Sequence, residues 1–233
     1  MKKAKISVVI PTFMEEQYIA TLLSNLAKTE PLIEIIVVDS ASQDKTVEIA
    51  KRFTKKVYQT SERGIAKAKN YGATHATGNL IVFLDADIKV PTNFADKLYE
   101  TFKNPRVVGA TCHIMPEHGT FVERAFFKFY NILIQATAMF KPHARGEFFA
   151  VRKERFMQVG GFDESLPCLE DHDLAHRLSK LGKFVFINDL TVYESMRRFR
   201  KMGFLKVVGT WITDYIFLLF RGKPLSKVWQ PVR

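Results

Sequence analysis

A short apolar run at residues 6–10 is followed by a segment from Glu15 in which Ile19, Leu22, Leu23 and Leu26 fall on one helix face. The alternation then repeats. Residues 34–39 and 57–59 read as strands, and 44–53 as a helix with Asp44 as N-cap and Val47, Ala50 and Phe53 turned inward. Residues 64–76 form a further helix, 80–84 a fourth strand, 92–102 a helix behind Pro91, and 107–111 a fifth strand. Apolar strands alternating with helices predict an α/β domain with a mostly parallel sheet covered on both faces.

Beyond residue 112 the pattern changes. Residues 121–140 are aromatic and helical, with Phe121, Ala125, Phe129, Ile132, Leu133 and Ala136 on one side. Residues 146–152 read as a strand, Gly160-Gly161 as a turn, and 171–181 as a helix stopped by Gly182. Residues 184–187 and 190–193 are expected to pair around an Asn188-Asp189 turn. No repeat, low-complexity stretch or linker interrupts the chain, so one domain over 1–195 and a tail over 196–233 are expected.

Strand 80–84 runs directly into Asp85-Ala86-Asp87. Side chains two apart in extended chain share a face, so Asp85 and Asp87 converge on one small volume. Two close carboxylates repel unless they share a proton or bind a hard cation such as Mg²⁺ or Mn²⁺. Asp39 ends another strand, and ligands of parallel sheets bind beyond the carboxyl ends of strands. Three carboxylates on one rim point to a metal–anion site.

Composition narrows the classes. The chain has 233 residues, 47% apolar and 25% charged, as in a globular protein with a substantial core. Its net charge of +11 is uneven: from Arg197 to Arg233 there are nine Lys or Arg and one acid, Asp214. This argues against a nucleic-acid-binding domain and for one local anionic partner. Lys2 and Lys3 precede too short an apolar run for a signal peptide, and Cys112 and Cys168 lack metal or disulfide spacing; both suit a reducing cytoplasm.

No Gly-x-Gly-x-x-Gly or Walker-type motif follows the first strand, which argues against the common dinucleotide and P-loop sites. Instead, an ordered set of short motifs runs from about residue 6 to 200. It comprises Ser7-Val8-Val9-Ile10-Pro11-Thr12, Val37-Val38-Asp39-Ser40-Ala41-Ser42 with Asp44, Arg63-Gly64 with Lys69-Asn70, and Phe83-Leu84-Asp85-Ala86-Asp87. Gly146 with Phe149-Ala150-Val151-Arg152, Gly160-Gly161-Phe162-Asp163-Glu164 and Glu170-Asp171-His172-Asp173-Leu174 continue it. The set resembles family 2 glycosyltransferases of the GT-A fold. The resemblance implies inverting sugar transfer from a nucleotide-diphosphate donor such as a UDP-sugar, with a divalent cation, Mn²⁺ or Mg²⁺. It also implies a nucleotide-sugar-binding half over 1–112 and an acceptor half over 113–195.

On that resemblance Asp87 is the metal ligand and Asp85, beside Ala86, orients ribose and metal. Asp39 and the backbone at Pro11 and Thr12 match positions that hold base and ribose, with Glu15 nearby. Arg63 and Lys69 either meet base or diphosphate or are solvent-exposed helix charges. Asp171 matches the general base, with Glu170 and Gly146 on the acceptor side; helix capping by these acids is the competing reading. His172 and His176 are surface or core histidines. Residues 195–200 stand where processive relatives carry Gln-x-x-Arg-Trp, which is absent; Arg197 or Arg198 binds diphosphate or faces lipid. Lys89 replaces a Gln typical of polyprenyl-phosphate mannosyltransferases.

Residues 204–220 are too short and too charged to span a bilayer. Their stripe of Phe204, Val207, Val208, Trp211, Tyr215, Leu218 and Leu219, flanked by cations, suits an anionic membrane interface. A lipid-linked acceptor and a cytoplasmic protein peripheral to the inner face of the cell membrane are therefore expected. The competing readings are a helix packed on the core or in a dimer, a catalytically silent nucleotide-sugar-binding or scaffold subunit, and a nucleotidyltransferase.

Overall fold

The computed structural model describes all residues except 1–4, 30–32, 139–141, 222, 228–231 and 233, and the side chain of Leu219 is also outside the description. Lys2, Lys3, Arg233, the last two residues of the helix expected over 121–140 and the Leu219 position of the tail stripe thus lie outside the described residues. Elements run in the order β1 (Ile6–Thr12), α1 (Ile19–Ala27), β2 (Ile33–Asp39), α2 (Thr46–Lys51), β3 (Val57–Gln59), α3 (Ile65–His75) and β4 (Leu80–Leu84). After these come β5 (Ile88–Lys89), α4 (Phe94–Phe102), β6 (Val107–Pro116), α5 (Phe121–Thr137), β7 (Phe148–Arg152) and α6 (Lys153–Gln158). The chain ends with α7 (Glu170–Ser179), β8 (Lys183–Glu194), α8 (Arg197–Met202) and α9 (Phe204–Arg221).

The strands form one sheet in the order β3-β2-β1-β4-β7-β6-β8-β5. Neighbours from β3 to β4 are parallel, β7 is antiparallel to both β4 and β6, and β6 and β8 are parallel. Strand β4 shows why its sequence is continuously apolar. Leu80, Val82 and Leu84 enter a core beneath α1 and α4, whereas Ile81 and Phe83 enter a second core beneath α3 and α7. The carboxyl ends of β1, β2, β4 and β8 and the start of the reversed β7 consequently meet at one rim.

Two expectations are corrected. The hairpin around Asn188-Asp189 does not exist: β8 is one strand whose two halves both pair in parallel with β6. The register passes from Cys112↔Ile187 to His113↔Thr191, so residues 188–190 bulge rather than turn the chain back. A partner strand is available to both halves, and that outweighs the local turn preference. In α2, Thr46 and Ala50 are buried while Phe53 lies beyond the helix and is exposed. Asp44 sits one residue before the cap position yet still accepts from Thr46 N at 3.0 Å.

Glu34 clips the sheet edge together. It accepts hydrogen bonds from Ser7 on β1, from Lys56 before β3, and from Thr77 N and Oγ1 at 2.7 and 2.8 Å. Burial opposes its ionisation, but these donors outweigh burial and hold the carboxyl near pKa 2 instead of 4.5. A depressed folded pKa contributes stability above the unfolded value and loses it as pH falls from about 4.5 towards about 2. Glu34→Gln is expected to cost about 2 kcal/mol at neutral pH and to flatten that acid limb. Urea melts across the acid range check both; an unchanged limb would contradict the clip.

Candidate active site

At the rim, Thr12 ends β1 and Asp39 ends β2, paired in register. Asp39 is fully buried, accepting from Thr12 Oγ1 at 2.9 Å, Ser42 N at 2.9 Å and Ser42 Oγ at 2.5 Å. It shapes the loop after β2, and Ser40, not Asp39, lines the adjacent groove. That groove has a volume of about 550 Å³ and is walled by Pro11, Thr12, Glu15, Arg63, Arg198 and the Asp85-Ala86-Asp87 turn. Arg63 is exposed, its guanidinium 4.6 Å from the centre of the Phe13 ring. Ala86 is buried between the two carboxylates.

Arg197 closes one side. Its two terminal nitrogens donate to Glu15 at 2.7 and 2.8 Å, and its Nε donates to Asp87 Oδ2 at 2.8 Å. One side chain thereby ties the exits of β1, β4 and β8 together. Arg198, half-buried, points towards Met202 Sδ at 3.7 Å.

Asp85 and Glu147 also line a second cavity of about 140 Å³, together with Gly146, Glu170, Asp171, Tyr130, Trp211 and Tyr215. Asp171 is buried in the first turn of α7, and no side chain caps that helix. Its Oδ1 accepts from the neighbouring His172 N at 3.0 Å. All three acids stand in the first turn, where the helix dipole favours them, yet two are also engaged elsewhere: Glu170 pairs with Lys69 and Asp173 with Arg177. His172 and His143, both buried, face each other with Nδ1 atoms 3.2 Å apart. Gly146 sits close to both groups: a Cβ there would lie 3.4 Å from Lys69 Nζ and 3.7 Å from Asp171 Oδ2, in ordinary contact with each.

Lys69 is not a surface charge. It is fully buried and donates to Glu170 at 2.9 Å. Burial works against its charge, but Glu170, Asp85 and Asp171 together raise its pKa. Lys69→Met would strand those carboxylates without a counter-ion, an expected cost of about 3–5 kcal/mol in a urea melt. Unchanged stability would contradict this placement.

Three groups that no sequence motif singles out, Arg145, Glu147 and Glu194, complete the site. Arg145 is buried and donates to Glu147 at 2.8 Å and Glu194 at 2.5 Å, with its guanidinium 5.0 Å from the Phe127 ring centre. The available signal was three charges set against strands: Arg145-Gly146-Glu147 before β7 and Glu194 ending β8. Backbone strain gathers here as well. Among the described residues, the non-glycine positions with positive φ are Met14, Ala41 and Leu169, each beside this rim.

Seven carboxylates (Glu15, Asp85, Asp87, Glu147, Glu170, Asp171 and Glu194) thus share the rim with Lys69, Arg145 and Arg197. Burial, opposed by Lys69, pushes Asp85 up to about 7, and burial also raises Asp87 against the pull of Arg197. Burial and Glu170 push Asp171 well above the usual carboxylate range. Asp85 Oδ1 is buried without a hydrogen-bond partner. An excess of hard oxygen donors and an orphaned carboxylate oxygen fit a divalent cation. Among the described residues no three acidic, His or Cys groups are already arranged as ligands.

The fold is shared with known enzymes. The structure superposes on a mannosyltransferase, PcManGT from Pyrobaculum calidifontis, in complex with GDP-Man and Mn²⁺. The TM-score is 0.73 and identity 24%, covering 92% of this chain and 66% of that one. It also superposes on Staphylococcus aureus TarS in complex with UDP-GlcNAc, at TM-score 0.67 and 22% identity, covering 82% and 58%. In sequence it is 30% identical over 165 residues to dolichol-phosphate mannosyltransferase of Pyrococcus furiosus. That match takes in 64% of this chain and 47% of the relative, so the chain spans about half of its length. Residues 7–160, including both carboxylates after β4, match glycosyl transferase family 2. The chain belongs to that family and has the GT-A fold.

Proposed function

We propose that the protein transfers a sugar, with inversion, from a nucleotide-diphosphate sugar in the larger groove to an acceptor hydroxyl in the smaller cavity. The carrying observation is that groove and cavity meet at Asp85 and Glu147, with Asp87 on the groove side and Asp171 on the cavity side. A sugar carbon held at that junction would have its diphosphate on one side and an attacking hydroxyl on the other. Asp87 and Asp85 would hold Mn²⁺ or Mg²⁺, which when bound neutralises charge developing on the departing diphosphate. Arg197 and Arg63 add cationic and stacking contacts at the groove wall, and Pro11 and Thr12 present backbone to base and ribose. Asp171 accepts the hydroxyl proton as the oxygen attacks.

The aromatic lining of the cavity by Tyr130, Trp211 and Tyr215 supports an acceptor with apolar or sugar character. The GDP-Man and UDP-GlcNAc held by the fold neighbours, and the dolichol-phosphate in the relative's name, support a sugar donor and a lipid-linked acceptor. Among the described residues no helix is long and apolar enough to cross a membrane, which suits peripheral attachment for reaching such an acceptor. Incubation with a panel of nucleotide sugars, with Mn²⁺, Mg²⁺ or chelator, tests the reading. Metal-dependent release of one nucleoside diphosphate is expected. Binding without release would favour the silent subunit; release unaffected by chelator would overturn the metal assignment.

A further inference from the structure

Among the described residues of the stripe that the sequence assigns to a membrane interface, Phe204, Val207, Val208, Trp211 and Tyr215 face the protein. Val207 is buried, Phe204 packs on Phe126 with ring centres 5.2 Å apart, and Trp211 lies 6.1 Å from Tyr130. The apolar residues that α9 leaves outside are others: Leu205 (84% exposed), Ile212, Ile216 and Phe220 (85%). Helix α5 does the same. It buries Glu123, Phe127, Asn131 and Ile134, and exposes Phe121 (86%), Val122, Phe129, Ile132 and Leu133. At 100° per residue, the exposed set on each helix lies opposite the buried one, and the two helices pack side by side through their aromatic residues. Their outward faces are therefore adjacent.

Charge identifies what covers this face. The two acids in α5, α8 and α9 are both withdrawn: Glu123 is buried against Arg200, and Asp214 is buried, accepting from Ser226 N and Oγ at 2.7 Å. The exposed charges on these helices are Arg124, Lys128, Arg200, Lys201, Lys206 and Arg221, all positive. A copy of this chain would bring the same cations against them; an anionic bilayer would complement them.

We propose that the outward faces of α5 and α9 form a single docking surface for the headgroup region of an anionic bilayer. The inner sides of the same two helices contribute Tyr130, Trp211 and Tyr215 to the Asp171 cavity. Docking would thus set the acceptor cavity beside the lipid. Its service to a lipid-linked acceptor rests on the transfer reading above, whereas vesicle binding is measured without any donor, so the two fail separately.

Flotation with phosphatidylcholine–phosphatidylglycerol vesicles at low salt tests it on the full chain. Wild type is expected to float with these vesicles and not with pure phosphatidylcholine. Phe129→Ser with Ile132→Ser, changing exposed residues of α5 alone, should bind at least about tenfold more weakly with an unchanged melting temperature. Lys128→Gln with Lys206→Gln and Arg221→Gln should lose the preference for anionic lipid. Failure of wild type to float, or flotation of the α5 variant like wild type, would overturn the proposal. So would a wild-type dimer that the α5 variant dissociates without any vesicle binding.

Discussion

Asp171→Asn is expected to lower turnover by about 10²–10⁴-fold, the usual worth of a positioned general base, while leaving nucleotide binding intact. Asn keeps the shape and can still accept from His172 N, but it cannot take a proton. Asp171 lines the smaller cavity and not the larger groove proposed for the nucleotide, so the loss should fall on kcat and not on donor affinity. The pH profile adds a second reading. Burial and Glu170 favour the protonated form of Asp171, so a proton must leave before the residue acts as base. Activity should therefore rise with pH on a limb displaced above the ordinary carboxylate range, and the Asn variant should lose that limb. Full activity in Asp171→Asn would remove it from the reaction.

Asp87→Ala is the second large effect expected. A residue that only supports a metal ligand is commonly worth about 10–100-fold in metal affinity, and a direct ligand should be worth at least as much. The variant should need far more Mn²⁺ to reach half-maximal turnover, with kcat/KM reduced at least about 10²-fold at fixed metal. Arg197 keeps both bonds to Glu15 when Asp87 is gone, so the fold should persist and the loss be chemical. Titrating metal against rate in both proteins checks this; superimposable curves would remove Asp87 from the metal.

The sheet and its rim were legible because strand ends are marked by chemistry. β4 is apolar on both faces and stops at Asp85, and β2 stops at Asp39, so periodicity and a change of polarity gave the same answer. The buried cations were not legible. Lys69 sits on a helix pattern that is ordinarily solvated, and its partner Glu170 lies 101 residues away. The ion pair exists only because α3 and α7 cover the same face of the sheet. Arg145 and Glu147 flank Gly146 at the mouth of the reversed strand β7, and sequence spacing does not reveal that reversal. Helical spacing correctly grouped apolar residues on α5 and α9, but it carries no sign. Which side of each helix meets the core was decided by packing, and on α9 the assigned stripe turned inward.

Calorimetric titration of UDP, GDP, CDP and dTDP into wild type, each with and without Mn²⁺, decides whether the rim carboxylates hold a nucleotide through a metal ion. Metal-dependent binding of one nucleotide, at one site per chain and weakened as pH falls below about 7 where Asp85 gains its proton, is the outcome this account expects. Binding equally strong without metal, or binding of none of the four by a folded protein, would contradict it.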